Sequence, residues 1–375
     1  MTVSINESDE QEELRRTLRR FLASTSNEGE VRRLMEDDLG FSPTVWQQMA
    51  DQLGLQGLMI PEVFGGSGYG LEEMCVVFEE MGRSLLPAPF FSTVALASFA
   101  LLTSGDEDAM RRYLPGIASG ETIATVAISE SEGGWDSDAI TMPAVRSGEE
   151  WTISGTKRYV VDGHASSLIL VPARAAEGIT LFAVDARAPG IEATSRLTLD
   201  MTRKLSEISF HGTPAALIGA AGDAWPTLER ALLMASVALA AEQVGGSQRV
   251  LEMTVEYAKS RYQFGRAIGS FQAVKHKCAN MFVETELASF ALRAARRAFV
   301  EGADDFAILA HSAKSLCAET FSKVSAENIQ VHGGMGFTWD HPAHLYLKRA
   351  KSGEFLLGTP RYHRQCIAES LGISQ

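Results

Sequence analysis

The hydrophobic period changes twice along this chain, and that change limits what it can fold into. From Glu10 to about Ala118, apolar residues recur at helical intervals, as in Leu14, Leu18, Phe21 and Leu22, then Trp46, Met49, Ala50 and Leu53. Near Glu121 the period is lost. Thr122–Ile128, Trp151–Ser154, Leu168–Val171, Thr180–Val184 and Ile208–Phe210 are short β-prone runs set apart by Gly, Pro and Asp. The helical period returns near Trp225 and lasts almost to the end. A helix buries a stripe and a strand buries a face, so one stretch cannot satisfy both patterns. The order predicts an α+β chain, mainly α. A helical domain is expected over 1–120, a β-barrel or sandwich over 121–222 and a second helical domain over 223–375.

The 375 residues are 45% hydrophobic and 22% charged, an ordinary balance for a globular protein of two or three domains. A formal net charge of -13 speaks against nucleic acid or membrane partners, which need clustered Lys and Arg. Residues 1–13 are acidic and polar, unlike a secretory leader. Leu85–Leu102 is interrupted by Pro87, Pro89, Ser92, Thr93 and Ser98, and reads as a loop leading into a buried helix. Ala231–Ala241 is shorter than the ~20 apolar residues that a membrane span needs. Cys75, Cys278, Cys317 and Cys366 are scattered without a C-x-x-C pair, as in a reduced cytoplasmic protein. Asp340, His341 and His344 lack further ligands at a workable spacing, so no metal site is expected. Glu229 suits the dipole at the start of a helix, and Lys348, Arg349 and Lys351 read as a solvated basic face.

Chemistry concentrates in Arg261-Tyr262-Gln263-Phe264-Gly265-Arg266, Gln272, and Gln330-Val331-His332-Gly333-Gly334-Met335-Gly336-Phe337. An Arg, a ring and a Gln offer a phosphate clamp, a stacking surface and an amide that reads a base edge. The Gly pair lets backbone approach a bulky ligand. In order and flanks these segments resemble the FAD-binding segments of the acyl-CoA dehydrogenase family, and the likeness covers nearly the whole chain. Pro61-Glu62-Val63-Phe64-Gly65-Gly66-Ser67-Gly68 resembles the loop of that family's N-terminal domain.

The resemblance implies a helical N-terminal domain, a central β-domain and a C-terminal four-helix bundle. It implies FAD as cofactor, an acyl-CoA substrate and an electron-transfer flavoprotein as acceptor. The assembly it implies is a homotetramer, or a heterotetramer with a paralogous chain. By the same resemblance Arg261 faces the pyrophosphate, Phe264 packs on the adenine side and Gln272 lies nearby. Gln330, Gly333 and Gly334 supply close polar contacts. The flavin so gripped belongs to a neighbouring subunit. Thr359 and Arg361 join from the C-terminal loop, and Ile128, Ser129, Tyr159 and Val161 from the flavin side.

Departures from the family pattern fall where the reaction happens. Family members carry Thr-Glu-Pro and then Gly-Ser-Asp, where this chain reads Ser129-Glu130-Ser131-Glu132-Gly133-Gly134-Trp135-Asp136. Ser129 keeps a hydroxyl, but Trp135 replaces a small Ser beside the thioester. The usual Trp-Ile-Thr becomes Tyr159-Val160-Val161, and Val161 cannot donate to the flavin edge. Both usual places for the catalytic base lack a carboxylate, since Leu357 and Ala235 occupy them. Ser236 replaces an accompanying Arg.

Glu242 is the remaining candidate. It lies seven residues beyond Ala235, two helical turns on with a drift of about 20°. It follows the apolar run Ala231–Ala241, surroundings that make a carboxylate more basic. The alternative is a buried structural Glu paired with an Arg or Lys. Two functions follow. One is an acyl-CoA dehydrogenase that introduces an α,β double bond, with Glu242 as base. The other is a non-catalytic or half-catalytic subunit that completes the FAD site of a paralogous chain.

Overall fold

The computed structural model describes residues 8–130 and 133–373. Part of the acidic segment 1–13, and Ser131 and Glu132 of the flavin-side motif, lie outside the described residues. Helices come first: α1 (Asp9–Thr25), α2 (Glu28–Glu36), α3 (Pro43–Asp51), α4 (Leu71–Ser84), α5 (Phe99–Ser104) and α6 (Glu107–Ala118). Side chains at their starts take up orphan amides. Ser8 and Gln11 cap α1 reciprocally, Ser42 caps α3 and Asp106 caps α6. Before α5, Phe91–Ser98 winds as a wholly buried π-helix. The stretch Leu85–Leu102 is thus helical core over much of its length, and no helix among the described residues is long and apolar enough to cross a membrane.

Strands follow: β1 (Ala124–Val126), β2 (Ala144–Ser147), β3 (Glu150–Val161), β4 (Leu168–Ala175), β5 (Gly178–Asp185), β6 (Ile191–Arg196) and β7 (Leu205–Ile218). They form one sheet in the order β1-β4-β5-β7-β3-β2, with β6 on β7. The long β7 is the corner. Its end, Ala216–Ile218, pairs with β5, while Leu205–Ala215 pairs with β3. The sheet therefore closes over its own core of Trp151, Ile153, Val160, Ile169, Val171, Phe182, Val184, Ile208 and Phe210. Periodicity alone predicts Trp151–Ser154 and Ile208–Phe210, far shorter than β3 and β7. The polar residues that interrupt the alternation still pair across the strands, as Thr156 does with Ser209.

Helices resume with α7 (Trp225–Ser260). A small ribbon of β8 (Tyr262–Gln263) and β9 (Arg266–Ala267) comes next, then α8 (Gln272–Glu301), α9 (Phe306–His332), α10 (Ala343–Phe355) and α11 (Pro360–Ser370). Two compact units result, and they do not follow chain order. Among the described residues, those up to 31 and 71–86 group with those from 236 onward, and 32–70 group with those between 87 and 235.

In the first unit α4 meets α7 backbone to backbone. A Cβ on Gly82 would sit 2.0 Å from the Glu242 carbonyl oxygen, and one on Gly245 would sit 1.8 Å from that of Glu79. No side chain fits at either point. Such closeness buries the carboxylates of Glu79 and Glu80, which must then be paired. Arg15 reaches both, at 2.8 and 2.9 Å, and Arg19 reaches Glu80 at 2.7 Å.

Candidate functional site

After α7 the chain makes a tight hairpin. Gln263 pairs with Arg266, and the two residues between them, Phe264 and Gly265, have φ of 52° and 78°. Positive φ at both central residues matches the twist of the flanking strands. The Phe264 ring stands at the tip and is 91% exposed, so it is not core. Its edge meets Phe271 at 6.1 Å, and the Arg266 guanidinium lies 4.0 Å from the Phe271 ring centre. Arg261, Tyr262 and Gln272 are exposed beside it.

A second limb comes from the end of α9. Gln330 is exposed, and Gly333 takes φ 63° and ψ -144°, which a side chain disfavours. A Cβ on Gly333 or Gly334 would meet nothing within 4 Å, so both backbones face open space. The two limbs are joined by a stack. Tyr257, one turn before Arg261, lies against His332 with ring centres 4.1 Å apart. One turn deeper, Thr254 Oγ1 donates to Asn328 Oδ1 at 2.8 Å. His332 Nδ1 donates to the Asn328 carbonyl oxygen at 2.9 Å, and burial pushes the imidazole below its usual range. Sequence reading missed this joint, because its residues carry no signature apart from each other.

The C-terminal loop holds Leu357 at φ 61° and buries it. Thr359 uses its hydroxyl oxygen as the cap of α11, accepting from the Tyr362 amide at 3.3 Å, while Arg361 is exposed. Glu242 is 4% exposed, and its Oε1 accepts from Arg349 Nη1 at 3.2 Å. Arg349 is itself 3% exposed, so it does not join Lys348 and Lys351 in a solvated face. The sequence pattern misleads there because a buried cation reads as a surface one until its counter-charge is known. This geometry is the structural alternative for Glu242, a carboxylate held by a cation inside the core.

On the sheet, Ile128 and Ser129 are buried just after β1, and the Ser129 carbonyl oxygen accepts from the Arg158 amide at 2.8 Å. A register shift between Lys157 and Val160 puts Tyr159 at φ 55° with 60% of its surface exposed. Bulges of this kind re-aim side chains. Val161 is buried and offers no donor. Lys157, which the motif search passed over, is fully buried. Its Nζ donates to Glu130 Oε1 at 2.7 Å and to the Ile128 carbonyl oxygen at 3.1 Å. Glu130 also accepts from the amides of Thr141 and Met142, both at 3.1 Å. Burial pushes the Glu130 carboxyl up, but Lys157 and Thr141 outweigh it and hold the group below its usual range. The expected strand stops at Ser154 and a register shift follows Ile153, so alternation gives no signal for Lys157.

Among the described residues, the non-glycine residues with positive φ are Leu85, Tyr159, Asp162, Phe264 and Leu357. Tyr159, Phe264 and Leu357 are positions that the sequence marks for chemistry. Backbone in that region is costly and gathers at functional sites.

Comparison with known proteins gives the family. The acyl-CoA dehydrogenase N-terminal, middle and C-terminal domains match residues 8–121, 125–212 and 222–372. The chain belongs to the acyl-CoA dehydrogenase family. It shares that family's oxidoreductase character and its flavoprotein fold. Acyl-CoA dehydrogenase IpdE2 of Mycolicibacterium smegmatis is 34% identical over 356 residues, 94% of this chain and 96% of its own length. Acyl-CoA dehydrogenase FadE34 of Mycobacterium tuberculosis is 35% identical over 84% of this chain and 40% of its own length. Among solved structures, a variant of the Tcur3481-Tcur3483 steroid ACAD has a TM-score of 0.88 at 32% identity, covering 97% of this chain and 98% of that one. The ChsE4-ChsE5 complex from Mycobacterium tuberculosis has a TM-score of 0.90 at 27% identity, covering 99% of each chain.

Proposed function

We propose that this chain is one half of an FAD-dependent acyl-CoA dehydrogenase. In this reading it lends its clamp to the FAD of a paralogous chain, and that chain carries the catalytic base. The assembly introduces an α,β double bond into an acyl-CoA thioester and passes electrons to an electron-transfer flavoprotein. The observation that carries this reading is the buried pair of Glu242 with Arg349 at 3.2 Å. Leu357 and Ala235 are apolar and buried, and Glu242 already holds a cation. None of the three positions then offers a free carboxylate to a substrate proton, which general-base work requires.

The residues present fit the adenosine half of FAD. Arg261 would neutralise the pyrophosphate, the Phe264 ring would stack, and the open backbones of Gly333 and Gly334 would allow close approach. Gln272, Gln330, Thr359 and Arg361 would add polar contacts. The fit to the flavin half is poorer, because Val161 lacks a hydroxyl and the Ser129 side chain is buried. When bound, the flavin supplies the hydride acceptor for the substrate β-carbon. This chain's own part is to bind, orient and exclude water. The division into domains at 1–120, 121–222 and 223–375 and a cytoplasmic location belong to the same reading. So does a bulky, ring-bearing acyl group, which the steroid ACAD among the neighbours supports.

Purifying the chain alone, and again with its paralogous partner, tests this. FAD per chain is expected to be near zero alone and substoichiometric to total chains in the pair. A solitary chain that retains one FAD and turns over an acyl-CoA overturns the proposal.

A further inference from the structure

Lys314 lies on α9 with none of its surface exposed. A buried amine needs acceptors, and it has two. Its Nζ donates to the Gly353 carbonyl oxygen at 3.0 Å and to that of Gly358 at 3.3 Å. Gly353 belongs to the last turn of α10, and Gly358 stands two residues before α11. The two bonds therefore bracket the reversal from Glu354 to Leu357.

One backbone hydrogen bond closes that reversal, from the Gly358 amide to the Phe355 carbonyl oxygen at 3.2 Å, and the strained residue inside it needs more. Leu357 sits at φ 61° and Gly358 at φ 106°, and a leucine rarely stays in the left-handed region without restraint from outside. Other restraints come from several elements. Gln243 on α7 donates to the same Gly353 oxygen at 3.1 Å. His363 on α11 is 1% exposed, and its Nδ1 lies 2.8 Å from Nδ1 of His311 on α9. Its Nε2 would stand 3.2 Å from a Cβ on Gly358, so the ring closes the far side of the turn.

We propose that Lys314 is a positioning residue: it pins the turn from Gly353 to Gly358 and so sets Thr359 and Arg361 for the flavin site. The proposal rests on the reading of that turn as part of the site. Thr359 follows Gly358 directly and caps α11, so any loosening of the turn moves the cap and the exposed Arg361 with it.

The test uses the assembled protein with FAD bound and a Lys314→Met substitution, which keeps the bulk and removes the donors. Amide exchange is measured by peptide, and FAD affinity by titration. Exchange should rise about tenfold in the peptide spanning 355–361 while peptides inside α9 keep their rates, and FAD affinity should fall about tenfold. In a Leu357→Gly background the same substitution should do much less, because glycine holds this φ without restraint. Lys314→Gln, which keeps a shorter donor, should fall between, and it serves if the Met variant does not fold. Unchanged exchange in 355–361, exchange raised evenly through α9–α11, or an equal effect in both backgrounds would mean that Lys314 only fills the core, and the pin is refuted. Faster exchange confined to the turn with unchanged FAD affinity would leave the pin but remove this turn from the flavin site, and so refute the proposed positioning.

Discussion

Glu242 shows how much one neighbour decides. Facing only the apolar run before it, the carboxylate would be a good base; facing Arg349, it is a counter-ion. Glu242→Gln should then cost ~3–5 kcal/mol of stability, as breaking a buried pair usually does. Turnover per bound FAD in the assembled protein should stay near normal. Urea unfolding and steady-state rates check the two halves. A stable, spectrally normal variant slowed by ~10²–10⁴-fold would restore Glu242 as the base. If Arg261 meets the pyrophosphate as proposed, Arg261→Ala removes a charge-assisted contact worth ~1.5–3 kcal/mol, so FAD affinity should fall by about ten- to a hundred-fold in a titration. The residues of the proposed clamp stand out in the sequence because their types are themselves the chemistry it would need. Lys157, Lys314 and Arg349 were not legible, since charged residues are expected at the surface and only the fold reveals their acceptors.

Elements were legible where the hydrophobic period ran unbroken. α7 and α9 follow from it, but β2 and β6 were missed because their residues are mostly exposed and little alternation survives. On α8, Phe282, Val283, Leu287 and Phe290 form one stripe, each more than half exposed. If the assembly buries that stripe, Leu287→Asp with Phe290→Ser should shift sedimentation to a smaller species without altering the helix content. Titration should also separate the elements. Burial pushes the Lys314 amine down to about 7, so the unfolded chain binds more protons from there up to the usual lysine range. Stability should rise with pH across that window, and the slope should flatten in Lys314→Met. Glu130 has the same sign in a more acidic window. Its lowered carboxyl gives stability that is present above the usual carboxylate range and lost as the pH falls through it. Thermal melts across both ranges measure these slopes.

At the scale of the whole molecule, if the chain serves a paralogous partner as proposed, the features that fit it to that role make it a poor soloist. A ring 91% exposed, at the tip of a two-residue loop, is apolar surface left open to water. A copy made in excess of its partner would show that tip, and the α8 stripe, to the cell's quality control. Clearance of orphans would then match the two chains in number without any regulator counting them. Dosage balance, in this protein, would be written into the exposure of Phe264.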